Sequence, residues 1–110
     1  MDKLHALTAL SALGQDTRLD AFRLLVRAGA TGLAAGEIAE ALGVRQNTLS
    51  NNLSILLAAG LARNEREGRS VRYFADFDGV RGLLGFLMED CCAGKPELCQ
   101  PVIDKIACAC

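Results

Sequence analysis

The first ninety residues contain no cysteine, although the chain has five in all. A small fold that depended on disulfides would scatter them through its body, so the body of this chain is not stapled and must be held by its Leu, Ala, Val and Ile residues. No run of about 18 apolar residues is present, which excludes a membrane-spanning helix. The N-terminus, Met1-Asp2-Lys3-Leu4-His5, lacks the charged-then-apolar layout of a secretory signal. Both absences predict a cytoplasmic protein with no membrane partner, in a compartment where thiols stay reduced. There is one histidine, His5, so a zinc site built from several imidazoles is excluded and His5 reads as a surface or interface residue. No Cys-x-x-Cys redox pair, glycine-rich phosphate loop or histidine-assisted nucleophile occurs, so neither an enzyme nor a catalytic cofactor is expected.

What is present is unevenly placed. All five cysteines, Cys91, Cys92, Cys99, Cys108 and Cys110, fall in the last twenty residues. That clustering suggests a soft-ligand site attached to an ordinary domain, and the odd number cannot pair completely within one chain. With 110 residues and 51% hydrophobic content, one domain can bury a core, and a chain of this size often adds a second subunit. The net charge of -1 conceals a polarity. Residues 45–75 carry Arg45, Arg63, Arg66, Arg69 and Arg72 against Glu65 and Glu67, a local excess of positive charge flanked by acidic segments. Every positive group in the patch is arginine, which pairs bidentately with phosphate or guanine.

Hydrophobic periodicity predicts a mainly α fold with a small β-hairpin. Leu4, Leu7, Leu10 and Leu13 mark a first helix over 3–13, closed by Gly14. A second helix, capped by Asp16 or Thr17, carries Leu19, Phe22, Leu25 and Val26, and these two helices are expected to supply much of the core. A third helix runs from about Ala35 to Leu42, and Gly43 provides a sharp exit. A fourth runs from Arg45 or Gln46 to Ala59 with Leu49, Leu53, Leu56 and Leu57 on one side. Two helices joined by a short glycine turn make a helix-turn-helix. Residues 61–67 and 70–75 read as strands around Gly68-Arg69, forming a wing. A last helix after Asp76 or Asp78 carries Val80, Leu83, Leu84, Leu87 and Met88. Its Gly82 and Gly85 cost helix propensity, roughly 1 kcal/mol each, which suggests a close packing contact across a dimer. Lys95-Pro96 and Gln100-Pro101 interrupt regular structure, so the tail is expected to be irregular apart from a turn at Val102–Ile106. The chain is thus expected to divide into a winged helix-turn-helix domain over residues 1–90 and a cysteine-rich tail over residues 91–110.

On the fourth helix the inward leucines leave Gln46, Asn47, Ser50, Asn51 and Ser54 on the opposite side. Short, uncharged hydrogen-bonding groups in one stripe suit base edges in the major groove, where Gln or Asn binds adenine in bidentate fashion. A solvated face would show Glu and Lys, which are absent from 46–59. Arg66, Arg69 and Arg72 project from the hairpin that follows and could reach the backbone or minor groove of double-stranded DNA.

These motifs resemble the ArsR/SmtB family of metal-responsive winged-helix repressors. Ala12-Leu13-Gly14-Gln15-Asp16-Thr17-Arg18-Leu19 with Phe22-Arg23-Leu24-Leu25 is similar to that family's opening. Glu37-Ile38-Ala39, Leu42-Gly43, Gln46, Thr48, Ser50, Leu53 and Ala59-Gly60-Leu61 are similar to its helix-turn-helix, and Gly68-Arg69 with Tyr73 to its wing. The resemblance implies a homodimer through the first and last helices, an operator-DNA partner, release by an inducer, and base reading by Gln46, Asn47, Ser50 and Asn51, with Arg45 and Thr48 beside them. Asn51-Asn52 departs from the His-His or Arg-His pair frequent in the family. The Cys-x-Cys pair that many relatives carry in the third helix is absent from Ala35–Ala39.

Cys91 and Cys92, at the end of the last predicted helix, and Cys99 remain as inducer ligands, with Cys108 and Cys110 as candidate additions. Neighbouring positions on an intact helix point about 100° apart, so two adjacent thiols share one ion only if the helix end unwinds, which Gly94 and Pro96 favour. Three thiolates without a fourth ligand suit the three-sided pyramid of As(III) or Sb(III), whereas zinc or cadmium asks for four. A Cys-Cys pair with a third cysteine downstream also resembles the arsenite site of one subgroup of the family. The alternatives are a thiol redox or Cd/Zn sensor of the same fold, the former through a bridge from Cys92 to Cys99 or Cys110, and, in another class, a thiol-based metal carrier.

Overall fold

A computed structural model describes residues 1–89 and 94–106. Helix α1 covers Lys3–Leu13, capped by Asp2, whose carboxylate accepts the His5 N–H at 2.8 Å. That bond and the adjacent imidazole hold the Asp2 carboxyl below its ordinary pKa. Helix α2 covers Asp16–Ala28, but its cap is Gln15 and not Asp16 or Thr17. The Gln15 amide oxygen accepts the Arg18 N–H at 2.8 Å. A 3-10 turn at Gly29–Thr31 leads to a two-residue strand β1, Leu33–Ala34, and then to α3, Ala35–Leu42, and α4, Gln46–Ala58. Strands β2, Ala62–Glu67, and β3, Ser70–Ala75, form the wing, and α5, Phe77–Leu87, starts from an Asp76 cap. The sheet is antiparallel in the order β1-β3-β2, with Leu33 opposite Tyr73 and Arg63 opposite Phe74. The architecture is a winged helix-turn-helix, mainly α with a small sheet.

The core is centred on Leu25, Ile38, Leu49, Leu53, Leu56 and Leu61, each at most 1% exposed. Its composition corrects the expectation for α1. Ala6, Ala9 and Ala12 face inward, while Leu4, Leu7 and Leu10 are 72%, 53% and 42% exposed. Both triplets fit helical periodicity. The small residues win the inner face because they let α1 lie close to the neighbouring helices, where a leucine would be too bulky for a packed interior. Along α5 Leu83 is buried, whereas Leu84, Leu87 and Met88 are exposed.

The tail also departs from expectation. An eleven-residue helix, α6, runs over Pro96–Ile106. Pro96 takes the first helical position, where no intrahelical N–H is needed. Pro101 lies inside the helix, giving up the bond to the carbonyl four residues earlier at a cost of roughly 3 kcal/mol. Leu98, Val102 and Ile106 recur at four-residue spacing on an exposed face, while Cys99 is buried.

Candidate nucleic-acid interface

The turn between α3 and α4 is set by Gly43, in the left-handed conformation at φ 66°, ψ 33°. The Val44 N–H reaches back to the Ala39 carbonyl at 3.1 Å and closes α3. A side chain other than glycine pays a strain cost there, so the glycine fixes the angle at which α4 leaves. Helix α4 buries Leu49, Asn52, Leu53 and Leu56. Its opposite side, carrying Gln46, Asn47, Thr48, Ser50, Asn51 and Ser54, is exposed together with Arg45. Asn47 accepts the Thr48 N–H at 2.8 Å, and the Ser54 hydroxyl donates to the Ser50 carbonyl at 3.0 Å. The amides of Gln46 and Asn51 make no hydrogen bond within the described residues and are open to a partner.

The five arginines of the basic segment separate by role. Arg63 lies over the Phe74 ring, 4.3 Å from its centroid, and pairs with Glu65 at 2.9 Å. The first contact follows from register, since Arg63 and Phe74 are opposite on adjacent strands. Arg72 turns back into the molecule. Its guanidinium donates to the carbonyls of Thr31 and Gly32 at 3.1 and 3.0 Å and lies 3.5 Å from Glu67 and 3.8 Å from Glu37. It therefore does not sit with Arg66 and Arg69 as a free wing cation, and acts as a clamp between β3 and the turn before α3. Arg45, Arg66 and Arg69 are exposed and make no ion pair among the described residues. The unpaired positive charge among the described residues thus sits at the start of α4 and at the tip of the wing.

One buried polar residue of α4 also matters here. Asn52 is 6% exposed and accepts a hydrogen bond at 3.1 Å from Arg18 on α2. Its place three residues after Leu49 is the signal that could have assigned it to the inner face.

Of the five cysteines, only Cys99 is among the described residues; Cys91, Cys92, Cys108 and Cys110 lie outside them. Cys99 is 6% exposed near the start of α6 and is disulfide-bonded, in contrast to the reduced state expected from the sequence. Among the described residues no three His, Cys, Asp or Glu side chains come together as a metal site. No described helix is long and apolar enough to cross a membrane.

Residues 13–65, from the end of α1 into β2, match a helix-turn-helix domain family. A Halobacterium salinarum protein provisionally named arsenical resistance operon repressor ArsR2 is 36% identical over 78 residues, covering 71% of this chain. The match covers 64% of that relative, less than two thirds of its length. A homodimeric winged helix-turn-helix DNA-binding domain from Mycobacterium bovis, a possible ArsR-family transcriptional regulator, superposes with a TM-score of 0.64 at 28% identity over 78% of this chain and 80% of its own. Reduced HlyU from Vibrio cholerae superposes with a TM-score of 0.63 at 26% identity, over 81% and 90% of the two chains.

Proposed function

We propose that the chain is an operator-binding repressor of the ArsR family, a reading supported by its helix-turn-helix match and by its likeness to ArsR2 and to the Mycobacterium bovis winged helix-turn-helix domain. It works as a homodimer through α1 and α5, and it leaves DNA when As(III) or Sb(III) binds the thiolates of Cys91, Cys92 and Cys99. The observation that carries the DNA-binding half is the exposed, uncharged stripe of α4 together with the exposed Arg45, Arg66 and Arg69, which make no ion pair among the described residues. Uncharged donors and acceptors read base edges, while free guanidinium groups hold phosphates and set register. The exposed leucines of α1 and α5 support the dimer, since covering apolar surface that the protomer leaves in water is favourable. A two-fold axis then places the two α4 helices in successive major grooves, roughly 34 Å apart.

The inducer half rests on donor chemistry and on the name of the Halobacterium relative. Soft sulfur donors without imidazole suit a thiophilic trivalent ion. The disulfide at Cys99 must be reduced before that sulfur can donate. Ligand binding at the junction of α5 and α6 would reshape the end of the dimerisation helix. A coupling of about 1–3 kcal/mol lowers operator occupancy about 5- to 150-fold.

The disulfide at Cys99 also favours a second reading, in which oxidation is the signal. Peroxide would take two electrons and two protons from a thiol pair and leave as water. The structural neighbour solved as reduced HlyU is consistent with a fold whose redox state matters. One titration separates these readings. The reduced protein is bound to the DNA upstream of its own gene and titrated with arsenite, antimonite, cadmium, zinc and peroxide. Release by arsenite or antimonite at stoichiometric concentration supports the first reading, and release by peroxide alone the second. Absence of salt-dependent, sequence-selective binding would return the chain to the metal-carrier class.

A further inference from the structure

We propose that Arg18 is the positioning residue that fixes the reading helix α4 against the dimerisation helix α1, acting through Asn52, and so sets the half-site spacing the dimer accepts. The proposal rests on the operator-binding reading above. Arg18 belongs to α2, yet its side chain bridges the two other helices. Its Nε donates to the Ala12 carbonyl in the last turn of α1 at 2.7 Å, and one terminal nitrogen donates to the Asn52 side-chain oxygen on α4 at 3.1 Å. This is the one side-chain hydrogen-bonded link from α1 and α2 to α4 among the described residues.

Three features make it directional. The guanidinium is a rigid planar fork, so two acceptors held at once fix their relative position. The Ala12 carbonyl belongs to the group of helix-end acceptors that lack an intrahelical partner and attract a cation. Asn52 is the one buried polar side chain among the described residues, and it cannot turn away without leaving its oxygen unpaired. The apolar contacts between the same helices, through Ala9, Leu49, Leu53 and Leu56, are non-directional and resist sliding far less. In a two-fold dimer, any rotation of α4 relative to α1 is repeated in the partner about the symmetry-related axis, so the two displacements act together on the separation of the reading helices. The distance between the two reading helices therefore depends on this bridge.

The test uses the full chain as Arg18→Met, which keeps the stem and loses the fork, and Asn52→Leu, which keeps the branched shape and loses the acceptor. Asn52→Asp retains an acceptor for Arg18. Circular dichroism and sedimentation first establish fold and dimer. Affinity is then measured for the natural operator and for operators with one or two base pairs inserted or deleted between half-sites. The wild type and Asn52→Asp are expected to prefer the natural spacing by about tenfold or more. Arg18→Met and Asn52→Leu should reduce that preference to within about threefold, while still binding. Folded, dimeric variants that keep the wild-type spacing preference overturn the proposal. Should either variant fail to fold, Arg18→Lys, which keeps the charge on a single nitrogen and lacks the planar fork that spans both acceptors, takes its place with the same criterion. A wild type that binds no operator overturns the operator reading, a result distinct from intact preference in the variants.

Discussion

The backbone of Gly79 in α5 rests on the carbonyl of Gly60, so closely that a Cβ at position 79 would overlap the Gly60 oxygen. Together with the Asp76 N–H donating to the Leu61 carbonyl at 2.9 Å, this contact seats the start of α5 on the corner between α4 and β2. Gly79→Ala is expected to destabilise the fold by about 1–3 kcal/mol through forced displacement, measured as a lower urea midpoint with an unchanged slope. Gly85 meets nothing within 4 Å. In the monomer Gly85→Ala should gain up to about 1 kcal/mol of helix propensity, so a loss of dimer affinity in that variant would locate Gly85 at the interface.

Replacement of Leu7 by Glu places a charge where the chain itself buries little, since Leu7 is 53% exposed. The protomer should keep its fold by circular dichroism. Sedimentation equilibrium should show a monomer, and operator affinity should fall steeply. A dimer of unchanged affinity would refute the α1 interface.

The wing arginines should separate by salt dependence. Arg69→Ala is expected to reduce the slope of log affinity against log salt by about 1, with little change in stability. Arg72→Ala should instead lower stability by about 1–3 kcal/mol, because it leaves the carbonyls of Thr31 and Gly32 without their donor. Equal salt slopes for the two variants would contradict this division.

On the reading helix, Asn51→Ala should weaken operator binding by about 1–3 kcal/mol and relax preference at one base pair, leaving the melting temperature unchanged. A uniform loss across all operator sequences would mark Asn51 as a backbone contact.

Cys99→Ser should retain operator binding in reducing conditions while losing release by arsenite. Release at the wild-type arsenite concentration would exclude Cys99 from the inducer site.

The helix-turn-helix and wing are legible in the sequence because their signals agree. The leucines of α4 keep one period from 49 to 56, Gly43 and Gly60 stand where helices must end, and Val71 and Tyr73 alternate in the strand. The inner face of the first helix is not legible in the sequence, because Ala6-Ala9-Ala12 and Leu4-Leu7-Leu10 are parallel stripes of one period. Hydrophobicity favours the leucines for the core, whereas close helix approach favours the alanines, and only tertiary packing decides. Helix α6 is hidden by two prolines, one of them harmless at a first turn. Strand β1 has two residues, too few to show alternation. Arg72 is indistinguishable from Arg66 and Arg69 in sequence, because what separates them is the position of the Thr31 and Gly32 carbonyls, 41 and 40 residues away. The candidate inducer residues were visible only as a cluster of thiols.

In the proposed homodimer, the outward leucines of α1 would tie the life of the protein to its abundance. A protomer that keeps large apolar groups for a second copy gains stability only as copies meet, so its melting temperature should rise with protein concentration. When synthesis slows, dilution alone would disassemble the dimer and expose greasy helices to proteolysis. Operators would then be vacated by scarcity as well as by an inducer.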